Sequence, residues 1–166
     1  MIFVTVGTEK YPFDRLIRAI DEAAARLPGE PVLVQAGQSR FVPQACRWER
    51  AYPYAEMEGY IAQARVVVAH AGVGSILLCL RHGKIPVVMA RLRAFGEHVD
   101  DHQLQIAERM ARMGCVLHAR QPSELVSMVL EYEKRRTSLA LPPSSRKDLV
   151  ESLAKDFLSL GKRRAV

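Results

Sequence analysis

The run Val66-Val67-Val68-Ala69 constrains this chain more than any other segment. Four consecutive apolar residues, three of them β-branched, predict a strand hidden on both faces. Such strands belong to parallel sheets, whose crossover helices cover both sides. The run also passes without a break into His70-Ala71-Gly72-Val73-Gly74-Ser75, where two glycines and a serine open a helix. A buried strand feeding a helix through a tight turn is the repeating unit of α/β folds.

The rest of the chain repeats the alternation. Ile2 to Val6 reads as a strand, and Phe13, Leu16, Ile17, Ile20 and Ala24 recur at helical spacing until Pro28-Gly29. A second strand is expected over 31–36, a loop over 37–43 and a short strand around 46–50. Met57, Ile61 and Ala64 suggest a short helix. Beyond the central run, helices are expected over 73–82, 101–113 and about 122–133, with strands over 85–89 and 115–117. Pro122 falls in a first helical turn, where its missing N–H is harmless. The predicted fold is α/β and Rossmann-like, a mostly parallel sheet with helices on both faces. In such sheets ligands bind at the carboxyl ends of the strands, which singles out the loops after Val6, Ala69 and Ala90.

Residues 1–135 are expected as one α/β domain. Residues 136–146, with Pro142-Pro143-Ser144-Ser145, read as a linker, and 147–166 as a final helix striped with Leu149, Val150, Leu153, Phe157, Leu158 and Leu160. That helix either packs on its own domain or docks on a partner.

Composition narrows the function classes. A chain of 166 residues, 49% hydrophobic and 25% charged, is expected to be soluble and globular. No apolar stretch nears the roughly 20 residues that span a bilayer. The N-terminus has neither a basic leader nor a small-residue cleavage site, so it reads as the opening strand and not a signal peptide. The three cysteines match no metal-binding spacing and suggest a reducing compartment, hence the cytoplasm. A net charge of +6 favours anionic partners. Nucleic acid is not expected among them, since there is neither a basic recognition helix nor an RNA-binding aromatic motif.

Three motifs carry chemistry. Gly7-Thr8 follows the first strand, where glycine admits close backbone approach and Thr8 adds a hydroxyl; a plain loop is the alternative. His70 to Ser75 places free N–H groups and a positive dipole end where a diphosphate could sit. Ser75 either donates to that phosphate or merely caps the helix. The stretch lacks the lysine of a Walker motif and the third glycine of GxGxxG, which argues against a dehydrogenase. In Gly96-Glu97-His98-Val99-Asp100-Asp101-His102-Gln103, either aspartate can cap a helix, while His102 and Gln103 offer donors to sugar hydroxyls. His98, Asp101 and His102 are a conceivable metal trio of no common spacing.

On the strand VTVGT, the stretch YAEMEGYIAQARVVVAHAGVGSI and the loop GEHVDDHQLQIAERMARMG, residues 1–133 resemble the catalytic subunits of two-component glycosyltransferases. These share the C-terminal domain of family 28 enzymes. The likeness is read as closest to bacterial exopolysaccharide subunits and more distant to the eukaryotic subunit that adds the second GlcNAc to dolichyl diphosphate.

The resemblance implies the C-terminal, donor-binding half of a GT-B fold. Gly7 and Thr8 match the family's first donor loop. His70, Gly72, Gly74 and Ser75 match the positions beside the diphosphate, and His102 and Gln103 those that contact the donor sugar. It implies no cofactor and no metal site. Where many relatives place a ribose-gripping glutamate, this chain has Leu78. The clamp must then lie elsewhere, with Glu97 as the candidate, or donor binding is weak.

The expected activity is an inverting transfer from a UDP-sugar to a polyprenyl-diphosphate-linked saccharide in exopolysaccharide synthesis. A membrane-associated partner subunit would bind the acceptor and recruit the chain from the cytoplasm to the inner face of the membrane. Glu97 and His98 are the candidate bases, with the partner subunit as the other source of the base. The alternative is a non-catalytic nucleotide-sugar-binding or regulatory subunit, and a homodimer is expected to be possible when the chain is isolated.

Overall fold

A computed structural model describes residues 1–139. Its six strands are β1 (Ile2–Thr5), β2 (Val32–Gln35), β3 (Arg47–Glu49), β4 (Val66–His70), β5 (Val87–Met89) and β6 (Leu117–Ala119). They form one sheet in the order β3-β2-β1-β4-β5-β6, and every pairing is parallel. The helices are α1 (Asp14–Ala25), α2 (Tyr54–Gln63), α3 (Val73–Arg81), α4 (His102–Arg112), α5 (Pro122–Leu130) and α6 (Tyr132–Thr137). The expected α/β fold class is the one found.

The central run behaves as its composition dictates. All five residues of β4 are buried, Val66 and Val68 among the residues under α1 and α5, Val67 and Ala69 toward the opposite face. In β1 the alternation repeats: Ile2 and Val4 join the α1/α5 core, and Phe3 packs with Ile61, Ala64 and Leu78 of the α2/α3 side. Helices therefore cover both faces. Tyr132, at the start of α6, donates its hydroxyl to the Ile85 carbonyl at 2.7 Å and closes the α1/α5 side.

Most elements fall within a residue of their expected bounds, and three places depart in a way that has a physical reason. β5 begins at Val87 because Pro86 has no N–H for the ladder. β6 lies two residues later than expected, over Leu117–Ala119. Cys115 and Val116 are buried, but in the loop that packs on α4, so an apolar run ahead of the strand mimicked the strand itself. Finally, the single helix expected over about 122–133 is two: α5 ends at Leu130, and α6 runs through Thr137, into the stretch read as a linker. The rest of that stretch and the expected helix over 147–166 lie outside the described residues.

The strand order places a topological switch between β1 and β4. The chain builds outward from β1 through β2 to β3, then returns to build from β4 to β6 on the other side. At such a switch the loops diverge and leave a crevice at the carboxyl edge.

Candidate functional site

The loops after β1 and β4 meet at this crevice on a single imidazole. Gly7 has φ +76°, a conformation open to glycine, and a Cβ there would come within 2.7 Å of the His70 ring. A Cβ on Gly72 would come within 2.9 Å of Cδ2 of the same ring and closer still to Nε2. His70 thus fills the space that two glycines leave empty. Its Nδ1 is buried and makes no hydrogen bond of normal geometry among the described residues. Burial first, then the positive charge of Arg91, pushes its pKa down to about 4, against an opposing pull from the Thr5 backbone. The ring is neutral near pH 7 and rests at the mouth of α3.

The start of α3 is open. Gly72 is its N-cap, no side chain caps it, and Ile76 N–H is bonded to the Gly72 carbonyl at 3.1 Å. The N–H groups of Val73, Gly74 and Ser75 have no partner inside the helix. Ser75 sits in the third helical position, so the capping role weighed for it does not apply. Oriented N–H groups, the helix dipole and glycine turns suit an anion, phosphate above all. The Gly7 turn is braced beneath: its N–H donates to Thr5 Oγ1 at 3.2 Å, and the Thr5 hydroxyl donates to Gln35 Oε1. Thr8 is exposed at the rim.

Beside the α3 mouth runs a groove of about 380 Å³, lined by Tyr54, Met57, Ser75, Leu77, Leu78 and Arg81 among others. The Tyr54 ring is 61% exposed above it. Leu78 is 7% exposed and contributes an apolar wall, so no glutamate-like clamp stands there.

The loop after β5 corrects one assignment. Glu97, expected as a base or ribose clamp, is 4% exposed. Arg15 Nη2 donates to its Oε2 at 2.8 Å and Arg15 Nε to its Oε1 at 3.1 Å, while Leu92 N–H donates to Oε2 at 3.0 Å. Both oxygens are engaged by the fold, and the carboxylate is buried rather than presented to a substrate hydroxyl. Glu97 is a strut. His98 is placed differently: Nδ1 lies 3.0 Å from Asp100 Oδ1 and 3.4 Å from the Asp100 backbone N–H, so the carboxylate orients the imidazole when the tautomer carries its proton on Nδ1. The His102 backbone N–H, bonded at 3.0 Å, is the main influence holding the Asp100 carboxyl below its usual range, with His98 adding to it.

Asp100 thus meets the first N–H of α4, whereas Asp101 turns back to Arg93 N–H at 2.9 Å. The possible metal trio dissolves accordingly, and no three such side chains converge among the described residues. His102 is exposed. Gln103 is 7% exposed, and its Oε1 accepts from Arg91 N–H at 3.3 Å.

Sequence reading missed Arg15, Arg91 and Tyr54. Arg91 is wholly buried, with its guanidinium on four carbonyls. Its only signal was a charged residue directly after an apolar strand, in a loop already singled out.

Fold and site define a Rossmann-like α/β domain whose switch point is shaped for an anion. Residues 1–157 match the Glycosyltransferase family 28 C-terminal domain, and the chain belongs to that family. It is 36% identical over 101 residues to the UDP-N-acetylglucosamine transferase subunit ALG13 of Eremothecium gossypii, covering 60% of this chain and 48% of that one. Against the human subunit of the same name it is 30% identical over 123 residues, 68% of this chain and 10% of the relative. The chain therefore spans about half of the fungal relative and a tenth of the human one. Among solved structures it is similar to the glycotransferase of kitacinnamycin, with a TM-score of 0.60 at 20% identity, over 95% of this chain and 39% of that one. The family assignment agrees with the expected C-terminal half of a GT-B fold. These relatives carry the name that sequence reading placed as the more distant likeness, and they lend nothing to the exopolysaccharide subunits placed first.

Proposed function

We propose that this chain is the donor-binding subunit of a UDP-sugar-dependent, inverting glycosyltransferase that works with a partner. The observation that carries the reading is the uncapped α3 start beside the Gly7 turn, with neutral His70 packed between Gly7 and Gly72. The donor's diphosphate would lie against the N–H groups of Val73, Gly74 and Ser75. Negative charge that develops there as the glycosidic bond breaks is stabilised by fixed dipoles, with no metal required. The nucleoside would occupy the neighbouring groove, its base against Tyr54 and Met57. With Leu78 apolar, Ser75 and Arg81 are the groups left to meet the ribose hydroxyls. The donor sugar would extend toward Gln103 and His102.

For the base we retain His98 in the tautomer that donates Nδ1–H to Asp100 Oδ1, which leaves Nε2 to accept the acceptor proton. The relatives' name makes UDP-GlcNAc the first donor to test. A polyprenyl-diphosphate-linked saccharide, presented by a membrane-associated partner at the inner membrane face, remains the acceptor proposed. Exopolysaccharide synthesis is one setting for that chemistry.

The test is calorimetric titration with UDP, UDP-GlcNAc, UDP-glucose and UDP-glucuronate, followed by transfer assays with the partner. Saturable binding of one UDP-sugar, and turnover that needs both chains, is expected. Binding without turnover in the reconstituted pair would favour a regulatory subunit instead.

A further inference from the structure

The largest fully buried side chain of the domain is a charged one, Arg91. Its Nη2 donates to the Val6 carbonyl at 2.7 Å. Its Nη1 faces the carbonyls of Tyr11 at 3.0 Å, Pro12 at 3.2 Å and Glu97 at 3.1 Å. The guanidinium lies 4.8 Å from the Phe13 ring, and Nε has no hydrogen-bond partner among the described residues. Its own backbone N–H reaches Gln103. One residue thus joins the turn that contains Gly7, the 96–98 loop and the start of α4.

Every acceptor of the side chain is a neutral carbonyl. The carboxylate of Glu97 is already committed to Arg15, and Glu9, the other acid that acts on Arg91, is exposed on the Gly7 loop. Holding loops together does not require a charge, and burying one without an ion partner is costly. A fixed cation under an anion site is compensated when the anion arrives.

We propose that Arg91 is the positioning residue of the donor site: its fork holds the loops after β1 and β5 in one frame and sets beneath them a positive charge that the diphosphate balances. The proposal rests on the donor reading above. It predicts discrimination by ligand charge, which a merely structural arginine would not confer. Uridine is the internal control, because its groove is built from α2 and α3, which Arg91 does not touch.

Titrate UDP and uridine into the wild type, Arg91→Met and Arg91→Lys, and follow the melting of each. Arg91→Met is expected to weaken UDP by about tenfold or more, the scale of a lost charge-assisted interaction, and uridine by less than about twofold. Arg91→Lys keeps the charge but loses the fork, so UDP should weaken by about threefold. Added guanidinium ion should restore part of the UDP affinity of Arg91→Met. Equal losses for both ligands, or unchanged UDP binding in a folded variant, would overturn the proposal. If Arg91→Met does not fold, wild-type UDP affinity in Arg91→Lys overturns it. A wild type that binds uridine and UDP equally would sink the donor reading itself, and this proposal with it.

Discussion

Arg15 and Glu97 form a two-pronged ion pair, at 3.1 and 2.8 Å, that bridges α1 and the loop after β5 across 82 residues of sequence. Arg15 also donates to the Ala90 carbonyl at 2.8 Å, so the pair fixes the whole turn beyond β5. Removing one member of such a buried pair strands the other. Glu97→Gln should therefore destabilise the domain by about 3 kcal/mol, read from urea unfolding. Arg15→Met with Glu97→Gln should cost less than the sum of the single changes. A Glu97→Gln protein of wild-type stability and lost turnover would instead return Glu97 to the role of base.

Gly7 and Gly72 hold the same ring for different reasons, and a double-mutant test separates them. Gly72→Ala pushes a methyl into His70, an overpacking that should cost about 1–3 kcal/mol. Adding His70→Ala should recover most of that loss. Gly7→Ala clashes with the ring too, but its φ of +76° adds a backbone strain of about 1 kcal/mol. His70→Ala should rescue it only in part. Equal rescue at both sites would show that the Gly7 turn relaxes.

The pKa of His70 near 4, against 6.5 for a free imidazole, makes stability pH-dependent. Between those values the unfolded chain binds a proton that the folded ring refuses. The contribution is therefore complete above pH 6.5 and shrinks as the pH falls, by about 3 kcal/mol near pH 4. His70→Gln lacks this titration. Unfolding free energies of the two proteins, compared at pH 7 and pH 4, should converge by about that amount. A constant difference would show that His70 takes its proton as readily folded as unfolded.

The alternation of strands and helices was legible because it rests on periodicity, which local sequence carries in full. Val66 to Ala69 could hardly be anything but a central strand, and the loops at its end and at the end of β1 did converge. What was not legible depends on pairing across distance. Nothing near Glu97 says that Arg15, on the first helix, will occupy both of its oxygens. Nothing near Arg91 says that its fork will find Val6, Tyr11 and Pro12. The same holds for β6, where Cys115 and Val116 have strand-like composition but Pro86 and Val87 set the register two residues later.

Gln103 is where the sequence expectation and the structure make different demands on one side chain. Its Oε1 accepts from Arg91 N–H at 3.3 Å, and its amide NH2 is the donor that it can offer a sugar hydroxyl. Gln103→Ala removes both functions: it leaves a buried N–H unpaired, at about 1–3 kcal/mol of stability, and deletes the donor. Gln103→Glu separates them, since a carboxylate still accepts from Arg91 but cannot donate. Calorimetry with UDP and UDP-GlcNAc on both variants should show Gln103→Glu weakening UDP, because its carboxylate offsets the Arg91 charge, and also losing the extra affinity that the sugar confers over UDP in the same variant. If Gln103→Glu keeps that sugar increment and only Gln103→Ala loses it, Gln103 acts through the Arg91 turn, and the sugar is held by another residue, with exposed His102 next in line.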